Sequence, residues 1–371
     1  MSETFLVDNL RAMREWADVP AFCGNPCQGS TLEQTQYLDF DAVPQRIWHA
    51  IGRKMTGLNV WIRSKQTKAK SQLAGELKSF RPDVIWIEFG TTAHVLEPLL
   101  QELEVPYIIN VHGFDITRAL AISGYKDAFI RLANRSAAVI CASHHTVNLC
   151  QSLGVKEGRC QMIRLALDGQ AIQPDVELEK TEHPSFVHLG RLTPKKAPRV
   201  TLASFEQVVR QMPDAKMTFI GSGPEEQALR AEIMAKNLEE QVEIIDALPR
   251  SEALKKVQSH WVFCQHSVTA SDGDQEGFAL SPAEAALLEM PVISTFHNGI
   301  PEHVIHQETG ILVEEWDVQG MAAAMIQLTQ DSYRLTTMGK AGRQNILDMC
   351  NPTKRQDALQ TLVADFDSWT K

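Results

Sequence analysis

The chain has 371 residues, 22% of them charged and 44% apolar, with a formal net charge of −10. That length exceeds one ordinary core, so two domains are expected, and the acidic balance argues against general nucleic-acid binding. No apolar run reaches the ~18 residues of a membrane span, no signal peptide is recognisable, and seven scattered cysteines fit reduced thiols, so a cytosolic protein is expected.

The first segment, MSETFLVDNLRAMREWA, reads as a helix with Phe5, Leu6, Leu10, Met13 and Trp16 roughly on one face. A doubly wound domain normally opens instead with a buried central strand, and none is visible there. Cys23 and Cys27 follow, three residues apart, without a second Cys/His pair at metal-site spacing, so no zinc site is expected. Next comes a basic island. Nine cations (Arg46, Arg53, Lys54, Arg63, Lys65, Lys68, Lys70, Lys78 and Arg81) stand against one acid, Glu76, interleaved with Ile47, Trp48, Ile51, Met55, Leu58, Trp61 and Ile62. Such a surface suits an anionic membrane or an anionic lipid-linked substrate, and it equally suits a solvated helix packing its Trp side chains into its own domain.

From there, short apolar runs alternate with helix-like segments, the pattern of parallel α/β domains. Strands are predicted at 20–23, 83–89, 106–111, 137–142 and 161–167, then at 185–189, 216–220, 242–245, 261–264 and 291–295. The polar stretch GQAIQPDVELEKTEHP between the two sets reads as a linker. The expected layout is a first domain over 1–170, a linker over 171–184, a second domain over 185–350, and a C-terminal helix over 351–371 packing back toward the first. Ligands of such sheets bind beyond the carboxyl ends of the strands.

Four stretches of the second half point to a nucleotide-diphosphate ligand. FVHLGRLTPKK ends a strand in a glycine turn and places Arg191 and Lys196 just beyond it, two cations able to neutralise a diphosphate. MTFIGSGPEEQALR carries Gly221 and Gly223 in a strand-to-helix loop, where backbone can approach a ligand closely. IIDALPRSEAL brings Ala247 and Leu248 to the same edge. EGFALSPAE spaces Glu276 and Glu284 around a helix start, with Ser281 as N-cap, Pro282 as first helical residue and Glu284 closing a capping box. Backbone N–H groups of Gly277, Phe278, Ala279 and Leu280 would then face phosphate or sugar oxygens.

Together these motifs resemble the retaining GT-B glycosyltransferases of family 4 (group 1), in which Glu-x7-Glu, Gly-Arg-Leu-x4-Lys and Gly-x-Gly-x-Glu recur. Here they stand as Glu276 to Glu284, Gly190-Arg191-Leu192 to Lys196, and Gly221 to Glu225. The run from Ser267 to Glu302, with DVIWIEFGTTA and PYIINVHGFD in the first half, is similar to exopolysaccharide transferases of the colanic acid and amylovoran type. The likeness spans about residues 80–345. It implies two Rossmann-like domains facing a cleft, a nucleotide-sugar donor and a glycan or lipid-linked acceptor, with no metal or other cofactor.

By the same resemblance, Arg191 and Lys196 bind the donor diphosphate, Glu276 contacts the donor sugar and Glu284 the ribose. Leu248 lies beside the base, and His112 meets the sugar from the opposite domain. Departures from the pattern are the absent opening strand, Ala197 where glycine is usual, and Ala279 where proline or glycine is common. Asp272-Gly273-Asp274 resembles a cation-chelating Asp-x-Asp, but a loop on the acceptor side fits its position better. His144, His145, His297 and His303 are expected to be structural or surface groups. Two other readings remain open on the sequence: an epimerase or phosphorylase of the same fold, and a noncatalytic nucleotide-sugar-binding subunit.

Overall fold

A computed structural model describes residues 21–23, 35–37 and 71–364. The predicted N-terminal helix and the basic island as far as Lys70 lie outside them. β1 (Ala21–Cys23) and β2 (Thr35–Tyr37) form a small parallel pair.

A parallel four-stranded sheet follows, in the order β3 (Ile85–Glu88), β4 (Tyr107–Val111), β5 (Ala138–Cys141), β6 (Cys160–Met162). Helices α1 (Gly90–Leu103), α2 (Tyr125–Arg135) and α3 (His144–Leu153) make its crossovers. Alternation along the strands sorts its two faces. Tyr107, Ile109 and Val111 of β4 and Val139 and Cys141 of β5 enter one core, beneath the crossover helices. Ile108, Ala138 and Ile140 point the other way. There they meet Leu359 and Leu362 of α10 (Pro352–Ala364), a helix from the far end of the chain.

The second sheet is six-stranded and parallel. Its order is β12 (Gly310–Val313), β11 (Val292–Thr295), β10 (Val262–Cys264), β7 (Ser185–Leu189), β8 (Lys216–Ile220), β9 (Val242–Ile245). Helices cover both faces, which is why β7 is buried at every position. Phe186, Met217 and Phe219 pack on the side of α4 (Pro198–Gln211), α5 (Glu226–Ala235) and α8 (Val318–Thr329). Val187, Leu189 and Ile220 pack on the side of α6 (Arg250–Gln258), α7 (Leu280–Leu287) and α9 (Ser332–Met349). The residues between the sheets, 169–184, form no helix or strand; Gln258 and Trp261 hydrogen-bond the backbone of Asp175 and Thr181 there.

The order of this sheet locates the site. From β7 the chain runs outward through β8 and β9, then returns to start β10 on the other flank of β7. The crevice beyond β7 and β10 is therefore the topological switch point, where loops diverge and leave room for a ligand. Beside the unpredicted β2, two strand expectations need correction. β6 ends at Met162, because Ile163 to Leu167 leave the ladder after one further bond to β5. β12 is an edge strand that the apolar-run pattern misses, four residues set in a polar loop.

Candidate functional site

Both loops at the switch point supply charge. The turn after β7 returns as a short 3-10 helix, Pro194–Lys196, and the long loop after β10 brings in Glu276. Lys196 Nζ lies 3.0 Å from Glu276 Oε1 and donates to Gln265 Oε1 at 3.2 Å. Neighbouring Lys195 bridges Asp274 and the carbonyl of Gln275, each at 3.2 Å. Burial alone would raise the Glu276 carboxyl, but Lys196 and then Lys195 outweigh it and hold that group at about 2. Lys195 responds in kind: burial works against its charge, and Glu276 and Asp274 raise its ammonium above the ordinary value. Arg191 is exposed, and only its backbone carbonyl is engaged, accepting from Thr193; its guanidinium makes no hydrogen bond or ion pair among the described residues. Two lysines thus neutralise the carboxylates beside an uncommitted guanidinium.

The glycines serve packing as well as access. A Cβ on Gly223 would strike the Leu192 carbonyl, and one on Gly221 the Gly190 carbonyl. Leu192 N–H donates to Ser222 O and Glu225 N–H to Leu192 O, so the two glycine loops interlock. Their spacing fixes the turn that carries Arg191.

The Glu276 loop is held from behind by His297. Its Nε2 accepts the Glu276 N–H at 3.3 Å and an Asn298 amide proton at 3.0 Å, so Nδ1 carries the proton donated to Glu315 Oε1 at 2.6 Å. His297 was expected to be structural or surface, and its place directly behind Glu276 makes it a support of the site.

The capping box does not form. Helix α7 starts at Leu280, two residues earlier than expected, with Ala279 as N-cap and no side-chain cap. Ser281 lies inside the first turn and donates to Gln265 Oε1 at 3.0 Å. Pro282 still fits, because first-turn N–H groups have no helical partner. Glu284, largely buried, pairs with Arg250 at 2.7 Å instead, which ties α7 to the start of α6 just after Leu248. Phe278 turns into the core against His303, ring centroids 4.6 Å apart, so only its backbone is left for a ligand. The uncapped start of α7 is a place where backbone N–H groups favour an anion.

The other domain meets this loop directly. His112 follows β4, and the Gly113 turn is so close that a Cβ there would sit 2.8 Å from Gly277 N. Gly113 has φ 96°, so both conformation and space require glycine. Asp115, fully buried, fixes this turn by accepting from the N–H groups of Gly90 and His112, each at 2.8 Å. Its own carboxyl is raised by that burial, against the pull of His112 and the two amides. His112 Nε2 lies 2.6 Å from Glu88 Oε2, which also accepts from Asn110 at 2.9 Å, while Trp86 donates to Glu88 Oε1 at 2.8 Å.

Further bonds join the domains. Ser143, the N-cap of α3, donates to Gly277 O at 3.0 Å. Glu302 accepts from the first α3 amides, His144 N at 3.0 Å and His145 N at 2.9 Å, and from Arg164 at 2.6 Å. Burial would raise the Glu302 carboxyl, but these donors lower it. Asp272 pairs with Arg118 at 3.1 Å. Both carboxylates of the Asp-Gly-Asp loop are therefore already engaged by cations. Glu88, Lys195, Gln265, Ser143 and Glu302 escape the sequence reading, since their partners are mostly far along the chain.

Comparison with known proteins agrees with this architecture. Residues 170–345 match the family model of glycosyl transferases group 1, and residues 30–169 that of glycosyltransferase family 4. The chain is 28% identical over 304 residues to the colanic acid biosynthesis glycosyltransferase WcaL of Escherichia coli, covering 81% of this chain and 73% of that one. It is 26% identical to the amylovoran biosynthesis glycosyltransferase AmsK of Erwinia amylovora, covering 74% and 68%. Among solved structures, sucrose-phosphate synthase of Thermosynechococcus elongatus superposes with a TM-score of 0.81 at 16% identity over 99% of this chain and 94% of that one. HepE of Anabaena, in complex with UDP and glucose, superposes at 0.72 with 15% identity over 80% and 82%. With two parallel-sheet domains meeting at the carboxyl ends of their strands, the chain has the GT-B fold and belongs to the group 1, family 4 glycosyltransferases.

Proposed function

We propose that this glycosyltransferase moves a sugar from a nucleotide-diphosphate-sugar to a glycan or lipid-linked acceptor in bacterial exopolysaccharide or lipopolysaccharide assembly, with retention at the anomeric carbon. The observation that carries this reading is the Lys196–Glu276 pair at 3.0 Å beside the exposed Arg191 and the uncapped start of α7. A diphosphate entering there meets Arg191 as a planar fork and draws Lys196 toward itself, stabilising the charge that grows on the leaving group. Released from Lys196, Glu276 is free to accept from a sugar hydroxyl. His112 closes on the sugar from the opposite domain, and Leu248 lies by the base with Glu284 at the ribose. Gly190, Gly221 and Gly223 form the turns, and the backbone of Gly277 to Leu280 holds phosphate and sugar oxygens.

The lysines and Arg191 supply the countercharge in this reading, so no metal is needed and chelation leaves turnover unchanged. WcaL and AmsK are named for exopolysaccharide synthesis, other relatives for GDP-mannose-dependent transfer, and HepE is solved with UDP-glucose. Both UDP- and GDP-sugars therefore belong in the test. In a thermal-shift panel one nucleotide diphosphate and its sugar raise the melting temperature, since a ligand of the native state stabilises it. The Arg191→Ala variant melts at the wild-type temperature and shows a smaller shift. A panel without any stabilising nucleotide defeats the proposal, and conversion of donor without acceptor points to an epimerase.

No helix among the described residues is long and apolar enough to cross a membrane. We propose that the basic island at 46–81 brings the enzyme to an anionic membrane face bearing its acceptor. Neutralising Arg53, Lys54, Arg63 and Lys65 should abolish binding to anionic vesicles. Unchanged binding would make the island a packing segment.

A further inference from the structure

Outside the cleft, one cluster of reactive side chains has no part in sugar transfer. Cys141 ends β5, Cys150 lies on α3 and Cys160 opens β6, and their three sulfurs all lie within 4.8 Å of one another. Cys141 Sγ and Cys150 Sγ are 3.9 Å apart, and all three thiols are free. We propose that these cysteines form a trithiol site that captures a trivalent thiophile of the arsenite class.

Geometry and charge select that class. A pyramidal trivalent centre bonded to three sulfurs at ~2.3 Å needs them roughly 3.5 Å apart. Three scaffold elements already hold these sulfurs close to that spacing. No fourth His, Cys, Asp or Glu joins the group among the described residues. Zinc favours four ligands in structural sites, whereas a three-sulfur set suits a soft, three-coordinate centre.

The surroundings then decide the oxidation state. Cys141 and Cys150 are fully buried and share their apolar cluster with Val139, Val155 and Ile109. A charged complex would be costly there. Three thiolates around a divalent ion carry one net negative charge and around a monovalent ion two, but around a trivalent centre none. Capture is a balanced ligand exchange: three S–H protons combine with the three hydroxides of arsenous acid, three As–S bonds form, and three waters leave without change of oxidation state. Cys160 is half-buried and provides the way in.

The test uses full-length protein treated with arsenite, desalted and weighed by native mass spectrometry. Wild type should retain one arsenic per chain with the loss of three protons, and arsenite should raise its melting temperature. Both effects should disappear in Cys150→Ser and in Cys160→Ser. The half-buried Cys160 position keeps the test valid if the core variant fails to fold, and circular dichroism checks each variant. Cys23→Ser/Cys27→Ser should bind as wild type does. The proposal is overturned if wild type retains no arsenic, if Cys160→Ser retains it equally, or if the Cys23/Cys27 variant loses it.

Discussion

Two carboxylates, one in each domain, stand at the contact between them and are held by opposite means. Glu276, on a loop, faces two lysines across an ion pair of 3.0 Å. Glu88, at the end of a strand, accepts from Trp86, Asn110 and His112, and its backbone is paired in the sheet opposite Asn110. An ammonium on a flexible stem can transfer to an incoming phosphate, whereas strand-borne donors cannot leave. The contrast separates the working part of the site from its frame. Glu276 is poised to exchange partners, and Glu88 is fixed so that His112 keeps one ring orientation.

The largest expected effect follows from Glu276→Gln. Removing a charge aimed at the reacting sugar should lower kcat by about 10²–10³-fold, measured with the donor that the panel selects. Lys196→Met strikes the same pair from the other side and leaves a nearly buried carboxylate short of its partner. That should cost about 3 kcal/mol in denaturant unfolding, with partial recovery in the double variant. An unaltered midpoint for Lys196→Met would mean that the ion pair is not formed in solution. The acid dependence has a definite sign. The Glu276 carboxyl is depressed in the fold, so its contribution is present above the ordinary carboxylate value of ~4.3 and is lost as pH falls through about 2. Glu276→Gln should flatten stability against pH across that window.

Glu88→Gln should act more weakly and in another way. An amide has one acceptor oxygen in place of two, so it serves Trp86 or Asn110 but not both, and when it serves Trp86 it turns a donor toward His112, so the imidazole loses its fixed tautomer. We expect about a tenfold fall in kcat, on the order of 1.4 kcal/mol, with donor KM little changed. Equal losses at Glu88 and Glu276 would erase the distinction between frame and machinery.

The two regions were also unequally legible in sequence. The donor side is written in short-range spacings: Gly190 to Lys196, Gly221 to Glu225 and Glu276 to Glu284 each lie on one loop or helix start. The contact side is not, because Ser143–Gly277 and Glu302–His144 join residues 134 and 158 positions apart. No local pattern announces such pairs. Even on the donor side, local rules gave way to tertiary context. Ser281 and Glu284 form a sound capping box on paper, yet Gln265 and Arg250 offer partners across the sheet edge and take both side chains. Most strands were legible as apolar runs because helices cover both sheet faces, and β12 was not, its short Gly310–Val313 run being set between polar segments.

Glu302 gives the finest test of the contrast, since it lies in the donor-side domain yet bonds the frame of the other. It joins the start of α3 and Arg164 to the loop before β12, next to the Ser143–Gly277 bond. Glu302→Gln keeps one acceptor oxygen and removes the charge that favours both the helix start and the guanidinium. The loss, about 1–2 kcal/mol, falls on the joined form and not on either core. Donor KM and kcat should therefore worsen together by severalfold, as for a closure defect, with unfolding of each domain little altered. If kcat alone falls, Glu302 acts through the Glu276 loop and belongs with the machinery; if neither changes, the domains meet without this latch.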